Sequence, residues 1–359
     1  MVYRAIGLMS GSSLDGLDIA FVEFLENGGK WSYEILAADC YEYPANWAER
    51  LKNATTLNAR DYQLLHTDYG HYVGEQVNKF IEANGLQYKV GLVASHGHTT
   101  FHEPANKMTG QIGDGAAIAA ETQLPVVSDL RALDVAFDGQ GAPIVPIGEK
   151  LLLGGYDYFL NIGGIANISL NEKEYVAYDI CAANRVLNML AADAGKEYDA
   201  GGEMARCGNV IDVLLNELQA LDYYKQPYPK SLANSFGIET VYPIVKKYGT
   251  SVNDQLRTYT EHVAIKISDT IETTGTEKKL LATGGGALNT FLIERLQEHL
   301  NEKNVAVTVP DTNLVQYKEA LIMALIGVLR WRGEYNVINT VTGSKRASIG
   351  GALWLGGEE

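Results

Sequence analysis

Cysteine is scarce in this chain: Cys40, Cys181 and Cys207 are its three, odd in number and far apart. That excludes a disulfide framework as the scaffold and makes a reducing compartment the expectation. Basic residues are outnumbered, 29 Lys and Arg against 44 Asp and Glu, for a formal net charge of −15. A general nucleic-acid binder needs a basic surface to displace counterions, so that class is excluded and small-molecule partners are expected. No run of 18 apolar residues occurs, which excludes a membrane-spanning helix, and the opening MVYRAIG lacks the charged-then-apolar pattern of a secretion signal. The expected location is the cytoplasm. Two familiar nucleotide signatures are missing as well. G-x-x-x-x-G-K-[ST] is absent, and residues 284–289 read GGGALN rather than G-x-G-x-x-G, so neither a P-loop nor a Rossmann site is supported.

What is present is an ordinary soluble composition, 46% apolar and 20% charged, over 359 residues, a length that fits two domains. Apolar runs of strand type lie at 2–9, 17–24, 90–95, 158–162, 165–170, 174–180 and 279–283. Helical spacing is clearest over 59–84, where Tyr62, Leu65, Tyr69, Val73, Val77, Phe80 and Ile81 recur on one face before Asn84-Gly85. Further helices are expected near 184–194, 208–221, 256–273, 288–300 and 317–332. The alternation predicts an α/β chain. Its second half, with strand, glycine turn, strand and strand from residue 158, repeats the plan of the opening. No Pro/Ser-rich linker separates the halves, and the expected boundary is the Gly- and Pro-rich loop 129–146, a hinge or a substrate loop.

The opening strands are joined by GLMSGSSLDGLD, which gathers backbone N–H groups, two hydroxyls and carboxylates at one point. Similar turns, Gly163-Gly164 and Gly284-Gly285-Gly286, follow later strand-like runs. Glycine lets the backbone approach a ligand closely, as a polyphosphate requires. Three such turns point to a nucleotide site. Farther along, YVAYDI sets Asp179 at the tip of an apolar run, where a carboxylate can take a proton from a weak nucleophile.

The segments GLMSGSSLDGLD, ASHGHTTFHEP, DGQGAPIVP, NIGGIANIS, YDAGGEMARCG, PYPKSLANSFG and TGGGALN occur in the order found in the anhydro-N-acetylmuramic acid kinase family, which this chain resembles from residue 7 to its end. The resemblance implies the sugar kinase, Hsp70 and actin fold, two duplicated ribonuclease H-like domains about an ATP cleft. The domains expected are 1–130, to which 345–359 returns, and 131–344. It implies a first phosphate loop of Gly11, Ser12, Ser13, Leu14, Asp15, Gly16, Leu17 and Asp18, with Asp15 or Asp18 near Mg²⁺, which prefers oxygen ligands. A second loop is Asn161, Gly163 and Gly164, with Asn167 beside it. An adenosine loop is Gly284, Gly285, Gly286 and Asn289. Asp179 matches the family's catalytic aspartate, Arg131 its arginine beside the sugar, and Glu319 a glutamate opening a late helix. His96, His102 and Asn184 match substrate-side positions. The implied reaction uses ATP and water to open the 1,6-anhydro ring of anhydro-N-acetylmuramic acid and phosphorylate O6, giving N-acetylmuramic acid 6-phosphate in cell-wall recycling. A homodimer stands among the assemblies this allows.

Two departures from the family pattern stand out. His98 replaces a glutamine, and Asp179-Ile180-Cys181-Ala182-Ala183-Asn184 replaces a segment that usually carries Asp, Thr and Gly-Pro-Gly; Asn188 also stands where an aspartate is usual. The lost glycines bear on which sugar is bound more than on the type of reaction. His96 and His98 have a metal-ligand spacing, but no cysteine or acid stands in register with them, so zinc is not expected. The alternatives are a kinase for another anhydro sugar such as levoglucosan, and an Hsp70-like ATPase, since one fold hosts both functions. The chaperone reading calls for a peptide-binding domain after the ATPase core, and residues up to Glu359 offer none.

Overall fold

The computed structural model describes every residue except 12, 13, 172–174, 229, 234, 274, 358 and 359. Ser12 and Ser13 of the first glycine loop therefore lie outside the described residues. The chain divides into two units, Met1–Gly154 with Tyr317–Glu359, and Gly155–Gln316.

In the first unit the opening apolar runs become β1 (Val2–Ser10) and β2 (Gly16–Asn27), paired antiparallel from Val2 with Leu25 to Ser10 with Leu17. To them are added β3 (Lys30–Glu42), β4 (Leu92–Glu103), β5 (Met108–Ile112), β6 (Val126–Ser128) and β12 (Ala352–Trp354). The sheet order is β12-β6-β4-β1-β2-β3, with β5 on β4; β4 runs parallel to β1 and to β6. In the second unit β7 (Tyr158–Ile162), β8 (Ile165–Leu170), β9 (Val176–Ala182), β10 (Lys278–Thr283) and β11 (Val305–Thr308) are ordered β11-β10-β7-β8-β9. Here too an antiparallel meander of three strands is followed by two parallel ones. Both units thus have the same wiring, that of the ribonuclease H-like fold on which sugar kinase, Hsp70 and actin ATPases are built.

Local chemistry explains the helices. Asn58 caps Ala59–Ala83 by accepting the Asp61 N–H at 3.0 Å, and the helix buries Leu65, Tyr69, Val73, Val77 and Phe80 against the first core. Ser251 likewise caps Val252–Asp269, whose Tyr259, Val263 and Ile267 join the second core with Leu160, Ile162 and Leu280. The helices expected near 184–194 and 288–300 are Asn184–Ala192 and Thr290–Asn301; that expected over 317–332 begins earlier, at Thr312. Among the described residues no helix is long and apolar enough to cross a membrane, and all three cysteines are free.

The compact units divide at 154/155, where the sequence reading puts a domain boundary at 130/131, and the segment that rejoins the first unit starts at Tyr317, where that reading has about 345. Hydrogen bonds explain the shift. Arg131 donates to Gly141 O and Thr99, while the Asp134 carboxylate accepts from the Gly141 N–H and from the Thr342 hydroxyl. The loop thus belongs to the first unit. The late helix Thr312–Arg332 lies on the same sheet: a Cβ on Gly7 would stand 1.8 Å from Ala320 O, so only glycine permits this approach.

Candidate active site

Parallel strands end at one edge of each sheet, where α/β folds collect their ligands. In the second unit, β7 and β10 end at Ile162 and Thr283, and both are followed at once by glycine turns. Asn184, first residue of its helix, braces the first of these turns. Its Nδ2 donates to Ile162 O at 3.1 Å, and its backbone N–H donates to Gly163 O at 3.0 Å. Gly284 has φ +79°, and a Cβ there would meet Asn161 Oδ1 at 2.7 Å and Ile162 O at 2.8 Å. Gly163 and Gly164 differ: added Cβ atoms would meet nothing nearer than 3.5 and 3.7 Å. Their backbone is open to approach. Asn289 caps Thr290–Asn301 through the Leu292 N–H at 3.0 Å, which occupies its Oδ1. Gly285 is exposed and Gly286 is packed on Ile162.

Asp179 sits in the same unit on the edge strand β9. Asn161 pairs with Asn167, and Asn167 with Asp179, so the three share one face of the sheet. The following pair is Ala166 with Cys181, which leaves Ile180 as a bulge that turns Cys181 to the opposite face. The edge is covered by a loop: Lys230 O accepts the Asp179 N–H at 3.3 Å, the Leu232 N–H donates to Asp179 Oδ2 at 2.8 Å, and the Tyr223 hydroxyl donates to Asp179 O at 2.7 Å. Burial raises the Asp179 carboxyl above its ordinary value, and the Leu232 N–H opposes that rise. Such a carboxylate is held in place yet more basic than usual.

In the first unit β4 carries bulges between its pairings with β1 and with β5, and these set the histidines. His96 is buried, with Nδ1 3.0 Å from Gly97 O; burial first, then the charge of Arg131, holds it down to about 4. Arg131 is buried and donates to Gly141 O at 2.7 Å and to Thr99 Oγ1 at 3.2 Å, with its other terminal nitrogen 3.2 Å from the His102 ring nitrogens. Among the described residues no carboxylate pairs with it within 4.0 Å. Desolvation brings it to about 10, so it remains a cation at neutral pH. His102 is exposed at the rim of a cavity of about 570 Å³, which Lys107, Asp138 and Gln140 also line.

The first glycine loop joins β1 to β2. Leu14 has φ +62°, and its N–H donates to Gly11 O at 3.3 Å. Leu17 is in the core and Gly16 is pressed on β3, where a Cβ would meet Cys40 Sγ at 2.7 Å, so these two offer a ligand only backbone. Asp15 is exposed. Asp18 is partly buried, hydrogen-bonded to Cys40, and raised by burial. Glu319 retains some accessible surface but is densely surrounded. Desolvation raises its carboxyl, Lys318 lowers it, and Asp18 and Glu149 raise it again. The two acids thus stand within reach of one another's charge. Among the described residues no group of three His, Cys, Asp or Glu side chains forms a metal cage.

Structure therefore gathers Asn161, Gly163, Gly164, Asn184 and Gly284–Gly286 into one cluster and Arg131, His96 and His102 into another. Sequence reasoning missed Tyr223, Lys230 and Leu232, which clamp Asp179; Leu232 acts through its backbone and leaves no side-chain signal. It also missed the buried chain in which Tyr43 donates to Ser10 Oγ at 2.7 Å, Ser10 meets His98 Nδ1 at 2.9 Å, and Tyr43 meets Tyr69.

A protein-family model described as anhydro-N-acetylmuramic acid kinase matches residues 3–356. The chain is similar to the anhydro-N-acetylmuramic acid kinase of Francisella tularensis subsp. novicida, 34% identical over 97% of each chain. It is 35% identical to that of Aliivibrio fischeri, over 97% of this chain and 98% of the other. Among solved structures, the activator of the 2-hydroxyisocaproyl-CoA dehydratase from Clostridium difficile with bound ADPNP aligns over 92% of this chain and 96% of its own at 16% identity. Its TM-score is 0.45, a loose likeness. With a family match spanning nearly every residue and relatives above 30% identity along the whole length, this chain belongs to the anhydro-N-acetylmuramic acid kinase family.

Proposed function

We propose that this protein is an ATP-dependent cytoplasmic kinase that opens the 1,6-anhydro ring of anhydro-N-acetylmuramic acid with water and phosphorylates O6, yielding N-acetylmuramic acid 6-phosphate for reuse of cell-wall sugar. The observation that carries the mechanism is the clamp on Asp179. Its Oδ2 is fixed by the Leu232 N–H, Oδ1 receives no hydrogen bond among the described residues, and burial makes it a better base. Asp179 takes a proton from the water that attacks the anomeric carbon. The bond from that carbon to O6 breaks, and O6 leaves as the acceptor of the phosphoryl group. Arg131, a buried cation whose described hydrogen-bond partners are uncharged and which feels the Asp134 carboxylate only through space, orients the sugar and offsets charge on the departing oxygen. His96, His102 and Asn184 complete the sugar side.

ATP supplies the phosphoryl group, and Mg²⁺ neutralises charge on its phosphates. The residues fit these groups unit by unit: in the second, the open backbone at Gly163 and Gly164 suits a polyphosphate, with Gly284–Gly286 on the neighbouring turn, and in the first, Gly11 opens a glycine turn whose Asp15 and Asp18 are hard oxygen donors for the ion. Glu319, which feels the charge of Asp18, is the third carboxylate of the first unit's site.

The test is ATP consumption across a panel of anhydro sugars with product mass measured. The reading expects turnover on anhydro-N-acetylmuramic acid, with ADP released and a product heavier than the sugar by one phosphoryl group (HPO3) and one water. Turnover on levoglucosan alone would replace the sugar and keep the reaction.

A further inference from the structure

Glu149 and Lys318 form an ion pair at 2.9 Å whose side chains are 3% and 4% exposed. Two charges so deeply buried are costly, and a chain keeping them gives up stability that apolar residues of similar size would supply. Their location suggests what is gained. Lys318 directly follows Tyr317, where the backbone of the late helix departs from helical values (φ −112°, ψ 16°), and it directly precedes Glu319. Glu149 belongs to the helix Pro146–Leu152, pressed on the late helix so tightly that a Cβ on Gly148 would stand 2.4 Å from Ile322. Ile322 is one turn beyond Lys318 on the same face. From another side, Gly7 of β1 admits Ala320 O. The first regular turn after the break is thus gripped twice, by the ion pair and by the sheet.

We propose that Glu149 and Lys318 are a positioning pair: they fix the rotation of the late helix just past the Tyr317 break and so fix the direction in which Glu319, the next residue, leaves it. This rests on the reading of Glu319 as an active-site carboxylate, although the geometric claim concerns only where Glu319 is held. The charged groups facing Glu319 are Lys318, Asp18 and Glu149, and the influence of Lys318 is the largest of the three. Replacing both members of the pair by apolar residues therefore removes more downward than upward influence on the Glu319 carboxyl.

The experiment compares the parent with the double variant Glu149→Met, Lys318→Met, using melting temperature, steady-state kinetics and ¹³C NMR titration of labelled glutamate, the Glu319 signal being assigned with E319Q. The double variant should melt near the parent temperature, because the buried charges leave together. Turnover should fall on the order of 10- to 100-fold from misplacement, with ATP affinity retained, and Glu319 should titrate at higher pH. Parent turnover together with parent titration overturns the proposal. Should the double variant not fold, Glu149→Asp keeps both charges and shortens the reach by one methylene. Reduced turnover with unchanged ligand affinities is expected there, and parent turnover counts against the pair. Parent turnover in E319Q would instead sink the role of Glu319, and the Glu319 titration in Glu149→Asp, where both charges remain, would then decide the claim about the pair: a shifted titration supports it and the parent titration overturns it.

Discussion

The backbone N–H of Leu232 reaches Asp179 Oδ2 at 2.8 Å from the loop that covers the edge of β9, 53 residues farther along the chain. That single bond fixes the carboxylate while burial makes it more basic. Asp179→Asn keeps the shape and removes the base, so turnover should fall at least ~10²-fold with little change in sugar affinity, by steady-state kinetics and calorimetry. The sign of the stability effect is opposite. A carboxyl raised by folding binds its proton more tightly in the native state, so stability falls as pH rises from 3.8 through the raised value. The variant should therefore melt no lower than the parent at pH 7. Near-parent turnover would move the base elsewhere, with Glu319 the next candidate.

Gly163 offers a substitution that separates strain from ligand contact. A Cβ there meets nothing nearer than 3.5 Å, so Gly163→Ala should leave the melting temperature close to that of the parent. If the phosphates lie against this turn, ATP should bind roughly 10-fold more weakly while sugar affinity is kept. Equal losses of both, measured by calorimetry, would count against the glycine-turn account.

His98, which the resemblance sets against a glutamine, is buried beside Ser10 and held down to about 4 by desolvation. Between pH 6.5 and 4 the unfolded chain takes up this proton first, so stability present above pH 6.5 is lost as pH falls. The loss from this one side chain is about 2 kcal/mol by pH 5. His98→Gln should lessen the decline between pH 7 and pH 5 by that amount in denaturant titrations. An unchanged decline would mean that His98 does not titrate in this way; His96 and His262, also depressed, would continue to contribute.

Periodicity and turn residues made much of this fold legible. The helix 59–84 ended at its Asn-Gly signal, and the strands before each glycine turn lay where apolar runs stood between small residues. What stayed hidden was nonlocal. The edge strand β3 has Lys30, Ser32, Glu34, Asp39 and Glu42 among its exposed positions, and its one continuous apolar run, Ile35-Leu36-Ala37-Ala38, is short. The unit boundary moved because Asp134 bonds to Thr342, a partner that no local window contains. Asp179 and Arg131 could be singled out from their motifs, whereas their setting could not, since Leu232 and Gly141 act through backbone groups. The bulge at Ile180 likewise shows only in the pairing of β8 with β9.

The central claim is that water ends on the sugar, and turnover in ¹⁸O-water with ATP and 1,6-anhydro-N-acetylmuramic acid tests it most directly. An ordinary sugar kinase consumes no water, and a chaperone-type ATPase puts the solvent oxygen into inorganic phosphate. The account predicts a 6-phosphosugar labelled at the anomeric position with little free phosphate, read promptly because a reducing sugar exchanges that oxygen slowly with solvent. Label in free phosphate, with the anhydro sugar left unopened, would contradict it.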